Sequence, residues 1–592
     1  MKYIHILICI LALMFSASCA QQGPKDGDYT IHLLTTNDVH GRYFDSLYVD
    51  GRAPKASLLA VSAQVDSLRN LYGKDNVVFV DAGDCLQGDN AAYFFNFVDT
   101  VHRHIYARMV EYMKYDAVVV GNHDIETGHR VYDRIPGQMS VPFLAANALR
   151  TGEDGKVLVD CDGKPQTHFP GYTIVRRQGL KIAIIGFTNP NIKEWLPEEL
   201  WTGLAFEALV PYVQEYVDKV REKESPDVVV VAAHTGTGSG DGSVFENQGL
   251  YLFNSLNGVD FVVAAHDHRP LVLKTTDRAF VNSGSHCRNI GHGILNVKVR
   301  DGKCVEKSFD SELIPVDVKR TDERMRRMFR KDYEAVREFT LRPIGQLHAD
   351  LLTRDAYRGM SDYVNLLNTI ALHSSGADVS VASPLTFNGF VKAGTLIYDD
   401  LFTIYPFENR LFTLRMTGQE IKDYLEASYD GWINTVSGKS EDEHLLKITA
   451  APDPRTGQDR WSFVGRAYNL DSAAGLVYTV DVTKPLGKRV EIISTADGKE
   501  FCLNREYVVA MNSYRASGGG GLLKSAGIDS EKMETRLVAR YPEIRDLLYD
   551  YLKECGAIDP VVTGAPEVIG GWKFVPESLA GPLMERDMDL LF

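Results

Sequence analysis

The feature that most constrains this chain is a series of short apolar runs between residues 30 and 300, each rich in β-branched side chains. The runs cover residues 31–35, 77–80, 117–120, 141–145, 181–185, 228–232 and 261–264. Longer amphipathic stretches separate them, and residues 204–222 carry apolar side chains at helical spacing. Continuous apolar strands between helices are typical of sheets that are buried on both faces. We therefore predict an α/β layered domain in this region.

A second domain is expected because the chain has 592 residues, whereas a single hydrophobic core stops growing at about 250–300 residues. Beyond residue 342, helical stretches (361–373 and 417–428) are mixed with strand-like ones (378–382, 411–416 and 507–511), which predicts the α+β class. The expected organisation is an α/β domain over residues 30–318, a linker helix over residues 319–341 and an α+β domain over residues 342–592.

The first residues are typical of an export signal. Lys2 precedes a mostly apolar run, residues 4–15, which is too short to span a hydrocarbon core of about 30 Å. Small residues then lead to Cys19 in an arrangement that resembles the lipidation box of bacterial lipoproteins, with an ordinary cleaved signal peptide as the alternative. We expect a signal over residues 1–18 and a tether over residues 19–29. The protein would then be a periplasmic or cell-surface lipoprotein of a bacterium, in contact with the membrane only through a lipid on Cys19.

The overall charge limits the partners. Lys and Arg number 64 against 79 Asp and Glu, which gives a net charge of −15. A protein that coats nucleic acid needs a surplus of cations to neutralise phosphates, so the composition argues against a nucleic-acid polymer. A local pocket for a small phosphate ester is still compatible with this composition, since net charge governs non-specific partners and not individual sites. Nothing in the sequence fixes the oligomeric state.

Residues that commonly bind metals follow five of the apolar runs, within a few positions of the end of each run. They are Asp38, His40, Asp84, Asn122, His234, His266 and His268. The carboxyl ends of strands in an open α/β sheet bring such loops together. Two aspartates, one asparagine and four histidines can hold a pair of divalent metals through oxygen and nitrogen atoms, with one carboxylate bridging the ions. Each short motif is weak alone, whereas the ordered set predicts a two-metal site.

This ordered set resembles the calcineurin-like metallophosphoesterases, and within them the exported 5′-nucleotidases and 2′,3′-cyclic-nucleotide phosphodiesterases. The resemblance extends from about residue 30 to beyond residue 523. It implies two divalent ions, such as Mn, Zn or Co, with Asp84 between them. The implied ligands of one metal are Asp38, His40, Asp84 and His268, and those of the other are Asp84, Asn122, His234 and His266.

The same resemblance implies that His123 is a catalytic residue and not a metal ligand. Glu126 stands where the family has an acidic residue that orients this histidine, and Asp124 is the rival partner. The metals would lower the pKa of a shared water so that hydroxide attacks phosphorus, while His123 stabilises charge or protonates the leaving alkoxide. Ala265 departs from the glycine that usually opens the motif around His266. Outside the family pattern, and expected at the surface or behind the ligands, are the histidines at positions 102, 104, 129, 286 and 292.

Two C-terminal segments, residues 405–409 and 512–519, resemble the family's segments that stack a nucleobase between two aromatic rings. Phe407 and Tyr514 match the stacking positions, with Tyr405 a rival for the first. Stacking contributes about 1–3 kcal/mol per base and tolerates any base. These segments therefore predict a nucleotide as the substrate.

Three further features bear on the substrate. Arg354 and Arg358 stand four positions apart, and they either grip a phosphate or form a solvated pair. Residues 383–389 replace the Asn-Gly-Gly-x-Ile-Arg loop of 5′-nucleotidases. Gly520 replaces the acidic residue that follows the Gly-Gly pair of the second segment. The last two departures resemble the members that act on 2′,3′-cyclic nucleotides and 3′-nucleotides.

We therefore expect an exported two-metal phosphohydrolase that releases phosphate from nucleotides, as a 5′-nucleotidase, a 2′,3′-cyclic-nucleotide 2′-phosphodiesterase/3′-nucleotidase, or both. One rival is a surface nucleotide-binding protein with a vestigial site, and another is a hydrolase of the same fold that acts on a non-nucleotide ester. A vestigial binder should have lost ligands, and none of the seven is missing. The replaced arginine loop favours the second rival.

Overall fold

The computed structural model describes residues 23–49, 55–440, 442–452, 458–529, 533–558 and 566–592. The predicted signal over residues 1–18 and the predicted lipidation site, Cys19, lie outside the described residues. The first strand begins at Gly27, which pairs with Val299, so strand structure starts before residue 30, inside the predicted tether. Over the described ranges, no helix is both long enough and apolar enough to span a bilayer.

The first domain is built on two six-stranded mixed sheets. Its strands are β1 (Gly27–Thr36), β2 (Val77–Asp81), β3 (Ala117–Val119), β4 (Phe143–Leu144), β5 (Ala148–Arg150), β6 (Tyr172–Arg177), β7 (Leu180–Phe187), β8 (Leu204–Phe206), β9 (Val228–Ala233), β10 (Phe261–Val263), β11 (Leu271–Lys274), β12 (Ala279–Asn282), β13 (Asn289–Arg300) and β14 (Lys303–Pro315). The strand orders are β14-β13-β1-β2-β3-β4 and β11-β12-β10-β9-β7-β6. The seven predicted runs correspond to β1, β2, β3, β4, β7, β9 and β10, which confirms the α/β class.

The two sheets pack against each other, and helices cover their outer faces. Between the sheets, Leu33 and Val80 of one sheet share a core with Ile184 and Val230 of the other. The helices are Leu58–Tyr72, Asn90–Tyr93, Ile105–Met113, Asn122–Glu126, His129–Tyr132, Ile192–Trp195, Leu209–Glu224 and Gly249–Ser255. Because both faces of each sheet are covered, the strands need no alternation of polar and apolar side chains.

Two local expectations for helices were wrong. The helix predicted over residues 204–222 begins only at Leu209, because β8 pairs with β5 in a separate two-stranded sheet. The single linker helix predicted over residues 319–341 is two helices, Glu323–Met328 and Arg330–Leu341. Phe329 separates them with a φ of −100° and a ψ of 13°, and its side chain is buried in the core of the first domain.

The second domain mixes helices with several small sheets, as the α+β prediction requires. Its strands are β15 (Pro343–Leu347), β16 (Leu351–Leu352), β17 (Val379–Ala382), β18 (Phe390–Val391), β19 (Gly394–Ile397), β20 (Arg410–Thr417), β21 (Ile448–Pro452), β22 (Asp459–Phe463), β23 (Ser472–Ala474), β24 (Leu476–Asp481), β25 (Val490–Thr495), β26 (Glu506–Asn512), β27 (Leu537–Glu543), β28 (Ala557–Ile558) and β29 (Gly570–Val575). The largest of these sheets has the order β23-β17-β26-β20-β27.

The helices of the second domain are Asp362–Ser375, Tyr398–Ile404, Gly418–Trp432, Ser513–Ala516, Leu522–Ser525, Met533–Arg536, Ile544–Cys555, Pro566–Ile569 and Glu577–Leu591. The two domains share a hydrophobic cluster, in which Tyr93 of the first domain packs with Tyr398 and Phe402 of the second. This contact holds the second domain against the end of the first domain where the metal-binding motifs lie.

Candidate active site

The structure gathers the predicted metal ligands into two adjacent groups at the carboxyl ends of the strands. The first group contains Asp38, His40 and His268, from the loops after β1 and β10. The Nε2 atoms of His40 and His268 lie 2.9 Å apart, and Asp38 Oδ1 lies 3.5 Å from His268 Nε2 and 4.0 Å from His40 Nε2. Three donor atoms therefore converge on one point.

The second group contains Asp84, His234 and His266, with Asn122 beside them. His234 Nε2 lies 3.0 Å from Asp84 Oδ2, and His266 Nδ1 lies 3.0 Å from Asn122 Oδ1. The two groups are neighbours, because His234 Nε2 is also 4.0 Å from Asp38 Oδ1. All seven predicted ligands are thus brought together, although they come from loops of both sheets.

These donor atoms fit divalent metals. Nε2 of His234 is buried without a well-aligned hydrogen bond among the described residues, although Asp84 Oδ2 lies 3.0 Å away. A buried nitrogen that lacks a hydrogen bond is costly unless another ligand uses its lone pair. The mixture of imidazole, carboxylate and amide oxygen suits ions such as Mn, Zn or Co and does not select among them.

The backbone at the ligands is strained. Positive φ angles occur at Asp38 (48°), His40 (46°), Asp84 (59°), His266 (71°) and His268 (58°). Such left-handed conformations cost about 1–3 kcal/mol each in non-glycine residues and persist only where the surrounding fold imposes them. Their concentration at five ligands indicates that the fold holds these side chains for a function.

Small residues allow the loops to close around Asp84. A Cβ atom on Gly121 would lie 2.0 Å from Asp84 Oδ1, so only glycine fits immediately before Asn122. Ala265, which replaces the family's usual glycine, is fully buried and lies outside the set of residues with positive φ. An alanine is therefore compatible with the loop that carries His266.

His123 lies beside the metal ligands and pairs with Glu126. Its Nδ1 atom is 2.5 Å from Glu126 Oε2, and its backbone N–H donates to Asp84 Oδ1 at 2.8 Å. Burial lowers the pKa of His123, but the carboxylates of Asp84 and Glu126 outweigh that effect and raise the pKa to about 10. This environment favours a protonated imidazole, which is the form that can donate a proton.

Asp124, the rival partner of His123, has a different role. Its carboxylate accepts hydrogen bonds from the backbone N–H groups of Asp84, Cys85, Leu86 and Gly121, at 2.7–3.1 Å. It therefore ties the loop after β2 to the loop after β3. Cys85 lies fully buried next to this loop, and its Sγ atom contacts Asp81, as expected for a packed thiol.

Two further aromatic side chains lie next to the predicted ligands. The indole of Trp195 stacks on His266, with ring centroids 5.1 Å apart and an interplanar angle of 14°. The ring of His286 lies 5.3 Å from that of His40 and 5.5 Å from that of His268. His286 was expected at the surface or behind the ligands, and it lies beside them. Trp195, the last residue of helix Ile192–Trp195, was missed because no motif surrounds it.

The second domain contributes an aromatic group made of Phe407, Tyr468 and Tyr514. The ring of Tyr468 lies 6.1 Å from Phe407 and 6.3 Å from Tyr514, edge-on to both. All three side chains are partly exposed, which allows a ligand to reach them. Tyr405, the rival for the first stacking position, is buried and was therefore a poor candidate. Tyr468 was missed because no motif surrounds it.

The segment that carries Phe407 influences the electrostatics of His123. Glu408, next to Phe407, contributes to the raised pKa of His123. In the reverse direction, the pKa of Glu408 is raised to about 8, mainly by burial, with Glu126 among the charges that act on it. The charges of Glu408 and of the helix that carries His123 therefore act on each other across the two domains.

The predicted phosphate-gripping arginines are engaged elsewhere. Arg358 forms an ion pair with Glu585 at 3.1 Å, and the guanidinium of Arg354 lies 6.0 Å from the ring centroid of Phe592. Both contacts are with the C-terminal end of the chain. Because Arg358 is already paired with Glu585, the alternative of a partly solvated surface pair fits this residue better than phosphate binding. At Gly520 a Cβ atom would lie 2.2 Å from Arg515 Nη1, which explains why no acidic side chain stands there.

The sequence matches two family profiles, in agreement with this geometry. Residues 31–270 match the calcineurin-like phosphoesterase family, and residues 343–525 match the 5′-nucleotidase C-terminal domain. The chain therefore combines a calcineurin-like phosphoesterase domain with the C-terminal domain of the 5′-nucleotidases. This domain pair confirms the resemblance noted from the motifs, and it defines an enzyme of the metal-dependent phosphoesterase class.

Particular relatives extend along nearly the whole chain. The trifunctional nucleotide phosphoesterase protein YfkN of Bacillus subtilis is 24% identical over 95% of this chain, which matches 41% of that relative's length. A 2′,3′-cyclic-nucleotide 2′-phosphodiesterase/3′-nucleotidase of Haemophilus influenzae is 24% identical over 96% of this chain and 90% of its own. A Staphylococcus aureus protein solved in complex with alpha-ketoglutarate shares the fold, with a TM-score of 0.73 and 21% identity over 92% of this chain and 99% of its own.

Proposed function

We propose that the protein is an exported two-metal phosphohydrolase that releases phosphate from nucleotides. The observation that carries the proposal is the convergence of two candidate metal-ligand groups in the first domain, together with a partly exposed aromatic group in the second domain. The first feature suits phosphoester cleavage, and the second suits a nucleobase. The names of the relatives and of the C-terminal family support the same substrate class.

The seven ligands divide between two metals in this proposal. Asp38, His40, Asp84 and His268 hold one ion, and Asp84, Asn122, His234 and His266 hold the other. When bound, two divalent ions lower the pKa of a shared water and neutralise phosphoryl oxygens. The family resemblance assigns Asp84 to both ions. Its Oδ2 lies 3.0 Å from His234 Nε2, and its Oδ1 accepts a hydrogen bond from the backbone of His123.

His123 would supply the proton that the leaving alkoxide needs. Glu126 holds Nδ1 of the imidazole, so Nε2 is the atom available to the substrate. General acid catalysis of this kind contributes about 10²–10⁴-fold to the rate. Trp195 would fix the ring plane of His266, since stacking leaves that imidazole little freedom to rotate.

The preferred ester is proposed from the second domain. The loop at residues 383–389 contains the exposed ring of Phe387 and no arginine. Gly520 replaces the acidic residue of the family, and the guanidinium of Arg515 fills the space beside it. Both features favour 2′,3′-cyclic nucleotides and 3′-nucleotides over 5′-nucleotides as substrates. A non-nucleotide ester is the second candidate, because Arg358, a predicted phosphate ligand, is paired with Glu585.

Export and anchoring also belong to this proposal. Residues 1–18 would be the signal, and Cys19 would carry the lipid. Labelling of the expressed full chain with a radioactive fatty acid tests the anchor, and Cys19→Ser should abolish the label. A labelled Cys19→Ser protein would contradict lipidation at that position.

An activity panel tests the proposed function. Phosphate release, or ring opening of the cyclic ester, is measured with 5′-AMP, 3′-AMP, 2′,3′-cyclic AMP and p-nitrophenyl phosphate, each with added Mn²⁺, Zn²⁺ or Co²⁺ and again after chelation. We expect metal-dependent turnover that is fastest for the cyclic and 3′ substrates. Turnover of p-nitrophenyl phosphate without turnover of any nucleotide would favour the non-nucleotide ester. Nucleoside binding without turnover of any ester would favour a vestigial site.

A further inference from the structure

The aromatic group needs support from outside its own rings. Phe407 follows helix Tyr398–Ile404, whereas Tyr514 lies in helix Ser513–Ala516 after β26. Each of these rings contacts the edge of Tyr468 at more than 6 Å between centroids, so ring packing alone holds them loosely. Stacking on a flat base requires a fixed separation between the two faces. The backbone on each side must therefore be held by other residues.

Arg515 holds the side that carries Tyr514 and Tyr468. Its side chain is only 2% exposed and forms a bidentate pair with Asp471, at 2.8 and 3.0 Å. Its remaining N–H groups donate to the backbone oxygens of Tyr468 at 2.9 Å and Gly519 at 2.6 Å, and to Asn469 Oδ1 at 3.2 Å. One guanidinium thus joins the segment of Tyr468 to the helix and turn around Tyr514.

Arg545 holds the side that carries Phe407. Its side chain is 1% exposed, and Nη1 donates to the backbone oxygens of Tyr405 at 3.2 Å and Phe407 at 3.1 Å. Nη2 lies 3.5 Å from Glu408 Oε1, and the guanidinium stacks on Phe402 with its carbon 4.3 Å from the ring centroid. These contacts fix the backbone on both sides of Phe407 from beneath.

We propose that Arg515 and Arg545 are positioning residues that set the separation of the two base-stacking rings, and thereby the affinity for the nucleoside part of the substrate. This inference rests on the proposed function. A guanidinium is required because its planar fork serves a carboxylate and several carbonyl oxygens at once, whereas an ammonium presents a single charged point. Lysine in either position would keep the charge and lose the geometry.

The test compares Arg515→Lys and Arg545→Lys with a matched control, Arg489→Lys. Arg489 is also buried in the second domain and donates to the carbonyls of Tyr429 and Ile433 at 3.3 Å, and among the described residues it contacts none of the three rings. For each purified full-length protein, KM and kcat are measured with 2′,3′-cyclic AMP, 3′-AMP and p-nitrophenyl phosphate. Competitive inhibition by adenosine and the thermal unfolding midpoint are measured in parallel.

For Arg515→Lys and Arg545→Lys we expect the KM for the nucleotides and the inhibition constant for adenosine to rise about 10-fold, as for the loss of one stacking contact. We expect kcat/KM for p-nitrophenyl phosphate to stay within about twofold of wild type, because that substrate does not use both rings. Arg489→Lys should lower the unfolding midpoint to a similar extent and leave all KM values unchanged.

A milder variant covers the case in which a lysine variant fails to fold. Tyr424 donates a hydrogen bond to Asp471 from the buried side, so Tyr424→Phe loosens the partner of Arg515 without removing a charge. It should raise the adenosine inhibition constant about twofold to fivefold, as the loss of one hydrogen bond would.

Two failures are distinguishable. If the wild-type protein turns over none of the nucleotides, the proposed function fails. If it turns over nucleotides but adenosine does not inhibit it, the aromatic group does not bind the nucleoside and the positioning role of the arginines is overturned. If adenosine inhibits wild type and every folded variant equally, the function stands and the positioning role of the arginines is overturned. An equal loss of p-nitrophenyl phosphate turnover in the arginine variants would also overturn it, because the effect would then be general.

Discussion

The metal centre and the aromatic group are built in different ways. The metal ligands lie in short loops at the ends of buried strands, and five of them have positive φ angles. The aromatic group comes from three separate segments of the second domain, and its rings are partly exposed. Chemistry needs atoms fixed to within a fraction of an ångström, whereas stacking tolerates any flat base. Under the proposed function, the two rigid sheets would position the reacting groups, and the partly exposed rings of the second domain would bind the base.

The electrostatics of the two regions also differ. The first domain buries histidines whose charge is suppressed, such as His104, whose pKa is lowered to about 3 by burial and by Arg134. The second domain buries ion pairs, among them Arg515 with Asp471. It also buries Glu408, whose pKa is raised to about 8 by burial and by neighbouring carboxylates. Lowering the pH should therefore destabilise the first domain, because buried neutral histidines such as His104 become protonated. Raising the pH should destabilise the second domain around Glu408, because its buried carboxyl group loses a proton.

Removal of the central carboxylate should have the largest effect. We expect Asp84→Ala to lower kcat at least about 1,000-fold, because both metals lose a ligand and several kcal/mol of charge stabilisation. Phosphate release and bound metal per chain, measured by mass spectrometry, check this. Asp116→Asn is the control, since Asp116 pairs with Arg177 outside the ligand groups. A normal rate in Asp84→Ala would refute the bridging role.

Loss of the partner of His123 should have a smaller effect. Glu126→Gln keeps the size of the side chain and removes its charge, so we expect kcat to fall about 10- to 100-fold with bound metal unchanged. Asp124→Asn is the informative comparison, because Asp124 holds the backbone of Asp84 and Gly121. That variant should lose metal instead. If Asp124→Asn affected kcat alone and Glu126→Gln affected nothing, Asp124 would be the true partner.

Truncation of the aromatic group should change affinity and spare chemistry. We expect Phe407→Ala and Tyr514→Ala each to raise the KM for nucleotides about 10-fold, because each base loses one stacking face. The kcat for p-nitrophenyl phosphate should not change. Tyr405→Phe serves as the control, since Tyr405 is buried away from the ligand. A fall in kcat for every substrate would show that the rings support the metal centre instead.

The smallest effect concerns stability in acid. His104 accepts a hydrogen bond from the backbone N–H of Tyr106 through Nδ1, so protonation removes the cap of helix Ile105–Met113. Its pKa is about 3 in the folded chain against 6.5 when unfolded, so its contribution is complete above pH 6.5 and is lost as pH falls. By pH 5 the loss is about 2 kcal/mol.

His104→Asn keeps a capping oxygen and cannot gain a proton in this range. Denaturant unfolding of both proteins between pH 5 and pH 7.5, followed by a signal from the first domain, should show a shallower dependence on pH in the variant. Parallel slopes for the two proteins would mean that other groups cause the acid sensitivity.

The sequence by itself determined the class of the fold and predicted which side chains converge as candidate metal ligands. Strands buried on both faces leave continuous apolar runs, so β1, β2, β3, β9 and β10 could be located without a structure. Each ligand follows its strand by a few residues, and parallel strands bring their carboxyl ends together. Asp38, His234 and His268 could therefore be assigned to one site although they are far apart in the chain.

Only the tertiary structure shows which residues from segments without a motif lie next to the candidate site. Trp195 and Tyr468 reach the site from segments without periodicity or motif, so their contacts depend on how the chain folds back. Arg354 and Arg358 have a suggestive spacing, yet their partners are set by the C-terminal helix, over 200 positions away for Glu585. Glu126 and Asp124 differ by two positions, and only the direction of each side chain assigns one to His123 and the other to the metal loop. Secondary structure follows from the residues of each segment. Contacts between distant segments depend on how the whole chain packs, and no single segment contains that information.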